Sequence, residues 1–231
     1  MFALSSLIGL LVLGGTPPAA APTVEVWAGH QILRGLRKVP LHGQVPVSTE
    51  AYVIAKVQRQ GNHLEIRQRF CRVEPAPVKN VTIALPPASI ASMPSAILII
   101  DVAANGSVKM APWDVAWGPE DIDSDGHPGA TFVVGGTFCS GDVYVASQSH
   151  YEATSAHLDG QVFSGEMKVT QKQQILGAKG LCLSAMAGDS VESQHGTFAY
   201  RPVPAGTTCQ SLTGKPWPVK AQVPPPAKPA P

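Results

Sequence analysis

Charge is scarce in this chain. Asp, Glu, Lys and Arg make up 14% of the 231 residues and nearly cancel, to a formal net charge of +1. So balanced a sequence carries no electrostatic footprint for nucleic acid or an anionic membrane surface, and neither is an expected partner. The longest apolar stretch, Phe2 to Gly15, has 14 residues, short of the ~20 that a spanning helix needs. Enzyme signatures are missing as well: there is no G-x-S-x-G elbow, no H-E-x-x-H, no P-loop and no dinucleotide fingerprint. Nor does any run of a dozen residues show a helical apolar stripe with caps, which argues against a helical fold.

What is present begins with a leader. Residues 1–21 hold an apolar run followed by small residues and prolines, with Ala19-Ala20-Ala21 as an A-x-A-like cleavage site; that is the pattern of a secretory signal. No cysteine stands at the end of the run to carry a lipid anchor. A secreted or periplasmic protein follows. Residues 213–231 are rich in proline and poor in apolar side chains, and read as an extended, solvated, disordered tail. Between them, residues 22–212 leave about 190 residues, one domain with room for a core.

The four cysteines, Cys71, Cys139, Cys182 and Cys209, include no C-x-x-C pair. An even number in an exported chain favours two disulfides over metal ligation. Three connectivities are open, and we expect Cys71–Cys139 with Cys182–Cys209.

Glycine and proline number 22 each and punctuate the chain into short strands. Ala51 to Val73 forms a hairpin turning at Gly61-Asn62, whose second arm sets Leu64, Ile66 and Phe70 on one face against His63, Glu65, Arg67 and Arg69 on the other. Cys71 falls on the charged face, which calls for a bulge there or a disulfide outside the core. Pro75 to Pro94, with five prolines, reads as a loop or edge strand. Ser95–Val102 and Ser107–Met110 make a second hairpin around Asn105-Gly106, its continuous apolar run implying burial on both faces. Thr131–Phe138, Asp142–Ser149, Gln161–Thr170, Gln174–Met186 and Thr197–Val203 read as a meander. The fold class is all-β, an antiparallel up-and-down barrel or a two-sheet sandwich, the barrel being preferred.

One run prescribes specific chemistry. Asp121, Asp123 and Asp125 occupy the first, third and fifth places of a loop, Gly126 the sixth, and His127 the seventh, where its main-chain oxygen faces the ion. Such a set suits calcium. The bidentate Glu that closes a full EF-hand is absent, Phe132 standing in the twelfth place, so the loop is truncated, with Glu120 or a distant residue left to complete the shell. Other constellations are weaker. Gly188-Asp189-Ser190 with His195 matches the G-D-S block of certain esterases, but in a late turn of a β-rich chain. His150 and Glu152 share a strand face without a third ligand. Trp113 and Trp117 flank the approach to the loop and read as anchors to the core.

With the motif order in view, the run Asp123-Ser124-Asp125-Gly126-His127-Pro128-Gly129-Ala130-Thr131, then Val143-Tyr144-Val145, Ile175-Leu176-Gly177-Ala178 and Phe198 with Gly206-Thr207-Thr208-Cys209, resembles a group of uncharacterised secreted bacterial proteins. These carry one D-x-D-G-x-P-G segment ahead of a β-meander. The resemblance implies export and a calycin-like barrel, and assigns no activity. The expectation is an exported, non-catalytic β-protein that binds a small ligand or an envelope component and is stabilised by calcium and disulfides. Two alternatives stand beside it: a lipocalin-like barrel holding a small apolar ligand, and a calcium-dependent glycan binder or hydrolase using Trp113 and Trp117 as stacking platforms.

Overall fold

The computed structural model describes residues 22–39, 43–137 and 139–226; the expected leader lies outside them. Eleven strands run in the order β1 (Thr23–Val39), β2 (Gly43–Gln60), β3 (His63–Pro75), β4 (Val81–Ala84), β5 (Ala96–Val102), β6 (Val108–Met110), β7 (Trp113–Trp117), β8 (Ala130–Gly136), β9 (Gly141–Asp159), β10 (Val162–Lys179) and β11 (Ser190–Val203). Helix α1 (Pro87–Ser92) follows β4, α2 (Leu181–Met186) follows β10, and a 3-10 turn, η1 (Gln210–Leu212), follows β11.

All eleven strands belong to one antiparallel sheet in the order β4-β8-β9-β10-β11-β1-β2-β3-β5-β6, with β7 paired to β9 off that path. The expected class, all-β and antiparallel, is what forms. The sheet is nevertheless one continuous sheet and is not closed into a barrel. It curls instead: the side of β9 away from β10 takes β8 along Gly141–Val145, then β7 along Ser147–Tyr151, and then a single bridge from His157 to Ser107 in the β5–β6 turn.

Period-two alternation decides which face turns inward. Val53, Ala55 and Val57 of β2, Leu64 and Ile66 of β3, and Leu98 and Ile100 of β5 all point into one core, joined by Trp27, Phe163, Met167, Phe198 and Tyr200. Side chains of this kind contribute roughly 1.5–3 kcal/mol each when fully buried. The rings meet one another, Phe163 lying 5.1 Å from Phe198 and 5.7 Å from Tyr200 between centroids. Side chains thus occupy the interior that a lipocalin would reserve for ligand. A second cluster, around Val143, Val145 and Leu183, closes the end near α2 with Phe132 and Ile175 packed on it.

The Gly61-Asn62 hairpin forms as expected, and so does the bulge. Tyr52 pairs with Arg72 and Val53 with Phe70, leaving Cys71 as the extra residue. Elsewhere the structure corrects the expectations. The central strand β1 was not anticipated. β10 is one strand spanning both Gln161–Thr170 and the start of Gln174–Met186, whose end becomes α2. The proline-rich passage contains α1, because Pro86 precedes it and Pro87 opens it, and a first-turn residue needs no N–H partner. On β5, Ile97 is 40% exposed while Leu98 and Ile100 are buried, so this apolar run is covered on one face.

The disulfides join Cys71 to Cys209 and Cys139 to Cys182, in place of the expected pairs. Beyond β11 the chain crosses the outer face of β1 and β2 to reach Cys71 on β3, which brings Cys209 there; Cys139 and Cys182 meet beside the α2 cluster. Part of the tail is likewise not solvated. Trp217 Nε1 donates to the Gly29 carbonyl at 2.9 Å, and Ala221 with Val219 packs on Ile32 and Ala199.

Candidate metal centre

The loop between β7 and β8 is fastened at both ends before any ion is considered. Trp117 Nε1 donates to the Val145 carbonyl at 2.7 Å. At the far end Ile122 N–H donates to Gly129 O at 3.1 Å and Gly129 N–H to Glu120 O at 3.0 Å. Gly129 has φ +76°, and an added Cβ would lie 2.5 Å from the Val145 carbonyl oxygen. Gly126, the expected sharp turn, has φ +87°, a region costly to residues with a Cβ.

Inside the loop, backbone amides point at the carboxylates. Asp121 accepts from the N–H groups of Asp125 (3.2 Å) and Gly126 (2.9 Å), and Asp125 accepts from His127 N–H (2.9 Å) and from the Thr131 hydroxyl (2.5 Å). The Thr131 hydroxyl foremost, and then the His127 amide, hold the Asp125 carboxyl below its ordinary range despite some desolvation. One carboxylate oxygen from each of Asp121, Asp123 and Asp125 lies within 4.8 Å of the others. The three carboxylates thus form a cluster that could hold a metal ion.

Asp123 differs from its neighbours. It is 9% exposed, and its Oδ2 accepts from Ser89 Oγ on α1 (2.6 Å) and from Thr131 N–H (2.9 Å). Its Oδ1 is buried without a hydrogen-bond partner. A buried carboxylate oxygen left unmatched costs ~1–3 kcal/mol or more, and a cation among the three carboxylates would meet that demand.

The remaining candidates are placed as follows. The His127 ring stacks on Tyr144 at 4.2 Å between centroids and 13° between planes, so its side chain is committed to packing. Burial, with Asp142 and Asp125 nearby, raises the Tyr144 phenol above its usual range. The Glu120 carboxylate curls back over Gly118 and is not one of the converging three. Trp113 is buried and stacks on Tyr151 at 5.0 Å, which with the Trp117 bond makes both tryptophans anchors, as expected. His150 Nδ1 meets Asp114 at 2.9 Å on the surface, and Glu152 lies opposite Lys168. Asp189 accepts from Ile175 N–H while His195 bonds to the Pro225 carbonyl; the G-D-S residues therefore form no triad with it. Ser89 is the residue that sequence reasoning missed, having no local signal in a proline-rich run.

Comparison with known families, curated proteins and solved structures gave no match.

Proposed function

We propose that the Asp121–Gly129 loop is a structural calcium site in an exported, non-catalytic β-protein that serves as a binding or structural module outside the cytoplasm. The unpartnered, buried Oδ1 of Asp123 carries the reading, since its two neighbours supply oxygen donors beside it. An all-oxygen set on a loop favours calcium over zinc. Phe132, where a full EF-hand keeps its Glu, packs into the α2 cluster, so the shell is completed by main-chain oxygen, that of His127 first, and by water. Affinity then belongs in the ~10⁻⁴–10⁻³ M range of extracellular modules. Two disulfides fit an oxidising compartment, and among the described residues no helix is long and apolar enough to cross a membrane.

The test is a melting curve with about 2 mM calcium and with chelator, in the intact chain and in Asp123→Asn. At that concentration an ion with such a Kd stabilises by ~0.6–1.8 kcal/mol. Asparagine keeps an acceptor for Ser89 and Thr131 while removing the charge, so the variant should melt like the parent in chelator and fail to respond to calcium. A parent that is indifferent to calcium sinks the proposal.

A further inference from the structure

Residues 217–225 lie as a strap across the outward face of β1 and β11. Its carbonyls accept from donors on the sheet: Pro224 O from Arg34 (2.8 Å), Pro225 O from His195 Nε2 (2.8 Å) and Gln222 O from the Thr197 hydroxyl. His30 reverses the pattern. Its Nδ1 accepts from the Ala221 N–H at 3.0 Å, which leaves the proton on Nε2, 3.1 Å from a Glu50 carboxylate oxygen. The neutral ring satisfies both neighbours, and it is buried under the strap at 3% exposure.

We propose that His30 is a proton-operated latch: a proton on Nδ1 turns this sheet side chain, an acceptor from the strap, into a donor facing a donor, and the strap lifts from Ile32 and Ala199. Arg34 and Thr197 stay donors at any pH near neutral, and a protonated His195 still donates from Nε2. Among these strap contacts, acid reverses the donor–acceptor match at His30.

The groups facing the ring agree with this. Burial lowers the proton affinity of His30 below the ordinary histidine value; the Glu50 hydrogen bond and charge oppose that, and Lys220 of the strap and Arg72 of β3 add to it. Tyr52 on β2 packs against the ring at 4.6 Å, and the Arg72 guanidinium lies over the Tyr52 ring at 3.9 Å. From β11 the residue opposite is the uncharged Ala199. With the strap lifted, the ring returns toward the ordinary pKa of about 6.5, so the open form binds protons more readily. Closure is fully favoured above that pH and is lost progressively as pH falls below it.

Cleavage of the full chain after Lys220 by a lysine-specific protease reads the latch, with the rate at each pH divided by that of a free peptide of the same sequence. The corrected rate should rise several-fold between about pH 7.5 and about pH 5.5, and His30→Gln should abolish the rise, because glutamine can accept from Ala221 and donate to Glu50 without titrating. An equal rise in His30→Gln, or none in the parent, overturns the proposal. Should that variant not fold, imidazole nitrogen NMR of the unaltered chain decides: Nε2–H at neutral pH supports the latch and Nδ1–H overturns it.

Discussion

The acidic loop ahead of β8 and the strap beyond η1 are both irregular runs laid on the same sheet, and they are held by opposite means. The loop is largely bonded to itself, Asp121 and Asp125 closing over the amides of Asp125, Gly126 and His127. The strap's bonds run to the sheet, through Gly29, His30, Arg34, His195 and Thr197. A self-bonded loop keeps its shape by its own bonds, and here it leaves one buried acceptor, Asp123 Oδ1, without a hydrogen-bond partner. A strap without such internal bonds has shape only while its partners hold it, and so responds to whatever changes those partners.

The largest expected effect concerns the covalent ties beside the two runs. Replacing both cysteines of the Cys71–Cys209 pair, whose separation is 138 residues, should cost ~5 kcal/mol in the chain-entropy model, against ~4 kcal/mol for Cys139–Cys182 with a separation of 43. Only the first should also free the strap for cleavage at Lys220. Denaturant midpoints showing the greater loss for the shorter loop would mean that local packing around α2, and not loop length, sets the ranking.

Next comes the polar support of the loop. In chelator, Asp123→Ala should cost ~1–2 kcal/mol, because Thr131 N–H loses its buried acceptor while Ser89 Oγ keeps the Thr131 carbonyl at 3.1 Å, and the loss is partly offset by removal of the unpartnered Oδ1. Asp121→Ala should cost about 1 kcal/mol or less, since water can reach the exposed amides it serves. Equal costs would erase the distinction drawn between Asp123 and its neighbours. A modest global effect belongs to the strap. Trp217→Ala removes the bond to Gly29 and the edge contact with Tyr52 at 5.3 Å, and should lower overall stability by ~1–2 kcal/mol while raising cleavage at Lys220 sharply. A global loss without faster cleavage would make the strap part of the core.

The same contrast explains what could be read from the sequence. The loop, the Gly61-Asn62 hairpin and the bulge at Cys71 are written in adjacent residues, and spacing alone discloses them. Ser89 meets Asp123 across 34 residues, and Trp217 meets Gly29 across 188; no period connects such partners. The disulfide expectation failed for the same reason, because the crossing that delivers Cys209 to β3 is a property of the whole sheet. Prolines in the tail do impose an extended chain, but extension does not say whether a surface lies beneath it. Regular strand spacing does not by itself close a barrel: β7 and β8 share one side of β9 in succession, so the hydrogen-bonded path begins at β4 and ends at β6, beside which, among the described residues, only the turn at Gly106 and Ser107 bonds to β9.

The pairing of β1 with β11, Val26 opposite Val203, has a consequence for the order of events in folding. The first strand described here gains its second neighbour only when the last has been delivered, and contacts this remote in sequence make for slow folding. Trp27 can reach Phe163, and Tyr200 can meet Gln31, only at that final step. A chain built this way stays incomplete for as long as its C-terminal end is withheld. The Cys71–Cys209 bond, which spans 138 residues, then forms among the last events.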